Sequence, residues 1–132
     1  IKTAFHDSKN IEEKVIDIIC KYEMQKNVII SSFNLSTLIK CKNIDPQIRL
    51  AYLINRFYKI RNLLSTGINI IHPIYHLVNS KFVSILKENN FKINVFTVNK
   101  KKHIKRLIKL NVDGLITDFP DVASEVINNY RS

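Results

Sequence analysis

Several short segments of this 132-residue chain end an apolar run on groups that can hold an anion. Leu115-Ile116 runs into Thr117-Asp118 and then Pro120; Val95-Phe96 runs into Thr97 and Asn99; Val28-Ile29-Ile30 runs into Ser31, Ser32, Phe33 and Asn34. Lys2 closes a similar apolar start. An ammonium at the mouth of a strand can neutralise a phosphate, and the flat rings of Phe33 and Phe96 can pack against a carbon skeleton. Acid–base chemistry is harder to find. His6, His72, His76 and His103 show no metal-ligand or dyad spacing. His103 falls in a lysine-rich helix and is expected to be exposed, while His6-Asp7, following Lys2, could serve in a secondary role. Asp118 reads as a helix-start residue rather than a metal ligand, because its carboxylate can accept from the free N–H groups of a first turn. Asn99 reads as a helix cap, with a contact in the site as the alternative, and Asp113 and Gly114 as residues shaping the entry to a strand.

These groups can cooperate only if the elements bring them to one edge. The pattern predicts a helix after Ser8 or Asn10, with an apolar stripe of Ile11, Val15, Ile18, Ile19 and Tyr22, ending near Met24. A strand at 28–30 follows, then a helix capped by Asn34 and stopped by Asp45-Pro46, and a strand at 50–54. The segment 55–66 is ambiguous. A strand at 68–71 is expected to turn at His72-Pro73, followed by a helix from Asn79 or Ser80 that stops at Asn89-Asn90. A strand at 92–98, a helix through Ile104, Leu107 and Ile108, a strand at 113–117 and a last helix carrying Val122, Val126 and Ile127 complete the chain. Strand-helix alternation calls for a parallel sheet with right-handed crossovers. In such a sheet Lys2, Ser31 to Phe33, Leu53, His72, Phe96 to Asn99 and Thr117 to Asp118 share the C-terminal edge, where α/β barrels place their chemistry.

Phe96-Thr97-Val98-Asn99 followed by Val112 to Asp121 (V-D-G-L-I-T-D-F-P-D) closely resembles the last two barrel strands of the glycerophosphodiester phosphodiesterase family, whose first segment reads V-x-x-W-T-V-N. Ile29-Ile30-Ser31-Ser32-Phe33-Asn34 is similar to the family's SSF strand, Ile48 to Leu53 to the strand after it, and Ile1-Lys2-Thr3 to the end of its E-I-K strand. The resemblance runs in order from the first residue to about Tyr130. It implies the C-terminal half of a TIM-type (β/α)8 barrel, residues 1–132 forming a partial domain whose N-terminal half is absent, since a whole barrel takes about 250 residues. The implied activity is metal-dependent hydrolysis of glycerophosphodiesters to glycerol phosphate and an alcohol. Lys2 would contact the phosphate, Phe96 would stand where the family has tryptophan, and Phe33 would line the same pocket. A divalent cation, Ca or Mg, is expected for the parent enzyme, with its ligands mostly outside this sequence. No catalytic residue and no metal ligand is assigned here, so these residues alone are expected to be poorly active or inert.

Composition allows a real core, with 45% hydrophobic residues and only two Gly and three Pro. The net charge of +10 invites a polyanion partner. The lysines are nevertheless spread along most of the chain, and the cluster Lys100-Lys101-Lys102 with Lys105 and Arg106 is read as a solvated helix face, with a phosphate-binding patch as the alternative. Cys20 and Cys41 lack metal spacing and are expected as reduced, partly buried thiols. No apolar run is long enough to span a membrane, and a cytoplasmic location is expected. Another phosphate-binding barrel enzyme remains open, although T-D-F-P-D lacks a glycine-rich phosphate loop; so does a non-enzymatic basic module for nucleic acid or anionic lipid.

Overall fold

The computed structural model describes residue 1, residues 10–56 and residues 61–131. Five strands, β1 (Ile30–Ser32), β2 (Leu50–Ile54), β3 (Ile70–Pro73), β4 (Lys92–Val95) and β5 (Gly114–Leu115), form one parallel sheet in sequence order. Helices α1 (Ile11–Lys21), α2 (Leu35–Ile44), α3 (Arg61–Leu64), α4 (Ser80–Glu88), α5 (Lys101–Lys109) and α6 (Pro120–Arg131) alternate with them. No helix among the described residues is long and apolar enough to cross a membrane. Both cysteines are free, Cys20 exposed and Cys41 buried.

Strand register sorts the sheet residues into two faces. Ile30 stands beside Leu50, Tyr52 beside Ile71, Ile71 beside Ile93, and Val95 beside Leu115. These residues face the helices and join Leu38, Leu86, Ile104 and Leu107 in the core. The opposite face follows from the same ladders. It carries Ser31 and Ala51, then Leu53 and His72, Asn94 beside Gly114, and Ile74 beside Phe96.

Local chemistry explains most boundaries. Asn34 Oδ1 accepts from the backbone N–H of Ser36 and Thr37, starting α2 as expected, and Asp45 ends it. Asn79 accepts from Phe82 N at the start of α4, and Asn90, at φ 60°, stops that helix in the left-handed region. Asn111, at φ 56°, does the same after α5.

Three expectations are corrected. Asn10 precedes α1 with a left-handed backbone and no side-chain cap bond. The α1 stripe is also narrower than expected: Ile16 is buried while Ile18 (58% exposed) and Tyr22 face outward. This helix packs mainly against α2 among the described elements, and a helix resting chiefly on one neighbour buries a narrow strip. Finally, His72-Pro73 does not turn the chain. Pro73 has no N–H, but its carbonyl accepts from Phe96 N at 3.0 Å and Ile74 N donates to Ile54 at 2.8 Å, so the strand runs through it. The turn comes at the short 3₁₀ segment Tyr75–Leu77.

That segment is fastened by Arg106. Its guanidinium donates to the carbonyls of Val78 and Tyr75, the latter at 2.7 Å. The ring of His103, one turn earlier on α5, stacks on Tyr75 with centroids 4.6 Å apart. Arg106 therefore points inward and His103 is half-buried, against the reading of an exposed basic face. Arg106→Ala should lower the unfolding free energy by about 2 kcal/mol, because two carbonyls lose a charged donor. Arg106→Lys should recover less than half of that, since an ammonium cannot reproduce the fork. Urea midpoints check both, and an unchanged midpoint for the alanine variant contradicts the account.

Candidate active site at the C-terminal edge of the sheet

The C-terminal edge collects the polar strand ends. Ser32, buried at the end of β1, accepts at Oγ from Asn34 N at 3.1 Å. Phe33 follows it on the open face, and Phe96 stands on the same face past β4. Although β2 and β3 lie between their strands, the two rings meet edge to face, 6.1 Å apart at 75°. The aromatic wall expected of Phe33 and Phe96 is thus brought together. Phe33 remains 42% exposed and Ile116, beyond β5, 40%. Lys2 lies outside the described residues, as do His6 and Asp7. The residue before it, Ile1, donates from its backbone nitrogen to the Ser31 carbonyl of β1.

The loops after β4 and β5 are laced by Asn99. Its Nδ2 donates to Asp118 Oδ2 at 2.6 Å, and its Oδ1 accepts from Thr117 Oγ1 at 3.1 Å and from Asp118 N at 3.0 Å. Asn99 is thus not the cap of α5, whose start at Lys100 has no side-chain cap bond. Nor does Asp118 begin α6. Thr117 Oγ1 accepts from Phe119 N at 3.1 Å instead, which leaves the Asp118 carboxylate to Asn99.

Sequence reasoning did not single out Asn94, which ties β3 to β5. Its Nδ2 lies 3.1 Å from His72 Nε2. On its other side, a Cβ placed on Gly114 would come within 2.5 Å of Asn94 Oδ1. Gly114 is needed for this close approach. The alternation Ile93-Asn94-Val95-Phe96 was the available signal, because it puts Asn94 on the face of Phe96. Asp113 does more than shape a strand entry: its carboxylate accepts from Lys87 Nζ at 2.6 Å and from Ile93 N at 2.7 Å. Partial burial pulls the Asp113 pKa upward, but the bonds from Lys87 and Ile93 and the charges of Lys87 and Lys92 together hold it below the ordinary carboxylate value.

His72 is only 7% exposed, and burial lowers its pKa below the ordinary imidazole value. The folded chain therefore resists a proton that the unfolded chain accepts at about pH 6.5. Stability should be level above about pH 7 and fall as the pH drops below about 6.5. Urea midpoints at pH 7.5 and 5.5 should differ more for the wild type than for His72→Gln; equal differences would contradict this assignment.

The basic cluster does not form one patch. Lys100, Lys101, Lys102 and Lys105 are exposed, Lys101 pairs with Glu125 at 3.1 Å, and Arg106 is committed to the β3–α4 loop. Among the described residues, no three His, Cys, Asp or Glu side chains come together in a way that could hold a metal ion. The described part of the edge offers hydroxyls, amides, an imidazole and two aromatic rings. Groups of these kinds can hold a polar ligand.

The model of the glycerophosphoryl diester phosphodiesterase family matches residues 2–122. The chain belongs to that family. A glycerophosphodiester phosphodiesterase of Caldanaerobacter subterraneus subsp. tengcongensis is 34% identical over 129 residues, covering 96% of this chain and 53% of the relative. A solved glycerophosphodiester phosphodiesterase from Parabacteroides distasonis superposes with a TM-score of 0.87 at 20% identity, covering 99% of this chain and 56% of that one. An Oleispira antarctica phosphodiesterase solved in complex with its product sn-glycerol-3-phosphate gives a TM-score of 0.76 at 22% identity, covering 91% of this chain and 51% of that one. The fold is therefore α/β and of the TIM-barrel type, and the chain spans about half the length of the family members it matches.

Proposed function

We propose that residues 1–132 are the C-terminal half of the catalytic barrel of a glycerophosphodiester phosphodiesterase, an enzyme that hydrolyses glycerophosphodiesters to glycerol phosphate and an alcohol. Family membership over residues 2–122 supports the activity. The observation that carries the site is the meeting of Phe33 and Phe96 on the open face of the sheet, at its C-terminal edge. In this reading the two rings hold the carbon skeleton of the glycerol or head group, and Lys2 neutralises the phosphate. That the Oleispira relative is in complex with sn-glycerol-3-phosphate agrees with a ligand of this size and charge. A Ca or Mg ion is proposed for the complete enzyme, its ligands standing mostly outside this sequence, in the half of the barrel that would close the sheet. The proposed compartment is the cytoplasm.

The test uses the complete polypeptide that carries this chain, supplied with glycerophosphocholine and either Ca or Mg. Release of sn-glycerol 3-phosphate is expected. Phe96→Ala should lower kcat/KM about tenfold, the loss of one apolar contact surface. No release with either metal would contradict the proposal.

A further inference from the structure

The charges of this chain are sorted between the two ends of its strands. Around the N-terminal ends they are mixed, Glu23, Asp45 and Asp113 standing among Lys26, Lys92 and Lys109. Around the C-terminal ends, the segments that leave β1, β2, β3 and β4, residues 33–37, 55–60, 74–82 and 96–104, contain no Asp or Glu. Arg56 follows β2, Lys81 stands in the first turn of α4 after β3, and Lys100 and Lys102 begin α5 after β4. All four are exposed, and none makes an ion pair among the described residues. Lys101 is paired with Glu125. The acids at this end of the molecule flank the basic arc: Glu12 and Glu13 in the first turn of α1, Asp118 and Asp121 where α6 begins.

The strand ends are level, Ile54 beside Pro73 and Ile74 beside Phe96, so the four cations lie at similar height along one flank of the rim. Packed helices run about 10 Å apart, close to the screening length of about 8 Å in physiological salt. The fields of Lys81, Lys100 and Lys102 therefore reinforce one another. Each of β2, β3 and β4 has both neighbours within this chain, and the cations stand in loops and helix starts rather than on the open face of the sheet. Covering that face with the rest of a barrel would leave them exposed.

We propose that this flank of the rim docks on an anionic lipid surface, so that the mouth of the site faces the membrane. A leaflet presents a plane of negative groups, and cations held at one height meet it together. Basic clusters are held by the anionic cytoplasmic leaflet in this way, each cation strengthening adsorption about fivefold. A nucleic acid fits less well, because the Tyr75 ring beside these cations is taken up by His103 and His76 and offers no platform for a base. Substrate chemistry points the same way on the phosphodiesterase reading. A glycerophosphodiester is what remains of a phospholipid when both acyl esters are hydrolysed, so a deacylating reaction at a membrane must supply it. Docking itself does not depend on that reading.

The complete polypeptide that carries this chain is sedimented with vesicles of equal parts phosphatidylcholine and phosphatidylserine, and with vesicles of phosphatidylcholine alone. Binding is expected to the first only, and it should fall steeply with added salt. Replacing Lys81, Lys100 and Lys102 together by Gln should weaken it roughly 100-fold. Replacing Lys26, Lys92 and Lys109 by Gln, the same change of charge at the opposite end, should weaken it less than about threefold. Equal losses from the two triple variants reduce the effect to net charge and overturn the proposal, as does no binding to the anionic vesicles or equal binding to both kinds. Poly(U) held as tightly as the anionic vesicles in the same buffer assigns the rim to nucleic acid and overturns it too. Unmutated protein gives a second readout: on anionic vesicles, amide exchange should slow at residues 78–82 and 98–104 and stay unchanged at 23–27. Any other pattern overturns the docking surface, whether or not the variants fold. Vesicle binding by a polypeptide that hydrolyses no diester defeats the phosphodiesterase reading and leaves the docking surface standing.

Discussion

Expressed by themselves, these 132 residues should release glycerol 3-phosphate from a glycerophosphodiester no faster than buffer containing Ca or Mg. Enzymes of this kind accelerate their reactions by at least about 10⁶-fold, and that acceleration needs groups that stabilise charge and move protons at the phosphorus. Among the described residues the edge carries hydroxyls, amides, an imidazole, two aromatic rings and one carboxylate that is tied to Asn99. No three potential ligands gather for a metal among the described residues, and His72 is buried, with its Nε2 engaged by Asn94 and its pKa lowered by that burial. The isolated piece should also associate with itself, because Phe33 and Ile116 stand 42% and 40% exposed on the uncovered face of the sheet. Light scattering should report assemblies larger than a monomer, and, on the half-barrel proposal, adding a polypeptide that supplies the other half of the barrel should restore turnover. Robust hydrolysis by the 132 residues alone would refute the expectation.

Leu107→Ala should have the largest effect on stability, about 3 kcal/mol. Leu107 has no exposed surface and belongs, with Ile104, to the core cluster that includes Ile93 and Val95 of β4. The three lost carbons leave a void, and α5 cannot sink to fill it: Arg106 anchors it to the Tyr75 and Val78 carbonyls and Lys101 ties it to α6 through Glu125. A cost well inside the usual range of about 2–5 kcal/mol for leucine truncation therefore applies. The same variant should loosen the loops held by α5, read as faster amide exchange in residues 74–79. A shift of the urea midpoint worth less than about 1 kcal/mol would show that the helix relaxes into the gap.

The strand-helix order, the parallel sheet and the C-terminal edge were legible because they follow from period and punctuation. Leu50 to Ile54 could be only a strand, and Asn34, Asn79 and Asn90 could be read as caps and stops from their positions alone. What was lost concerns pairings across the sheet. Asn99 stands just before a helix, as a cap does, yet its amide is worth more between two loops, where it satisfies the Asp118 backbone and two side chains. His103 and Arg106 lie among lysines and look solvated, but their partners, the Tyr75 ring and two carbonyls, lie some thirty residues away in a loop that sequence cannot place. Asn94 was missed for the same reason. Its neighbour His72 comes from another strand, and the register that joins them is set by the buried Ile71 and Ile93 on the other face.

The latch between Arg106 and the β3–α4 loop grips main-chain oxygens only. Engineering of this rim can therefore be generous with the side chain at the exposed position 76, conservative at Tyr75, Leu77 and Val78, which pack on His103 or the core, and strict about loop length, since one inserted or deleted residue would carry a carbonyl out of the guanidinium's reach. Variation of this rim is best written as a fixed-length library centred on His76, with the arginine retained.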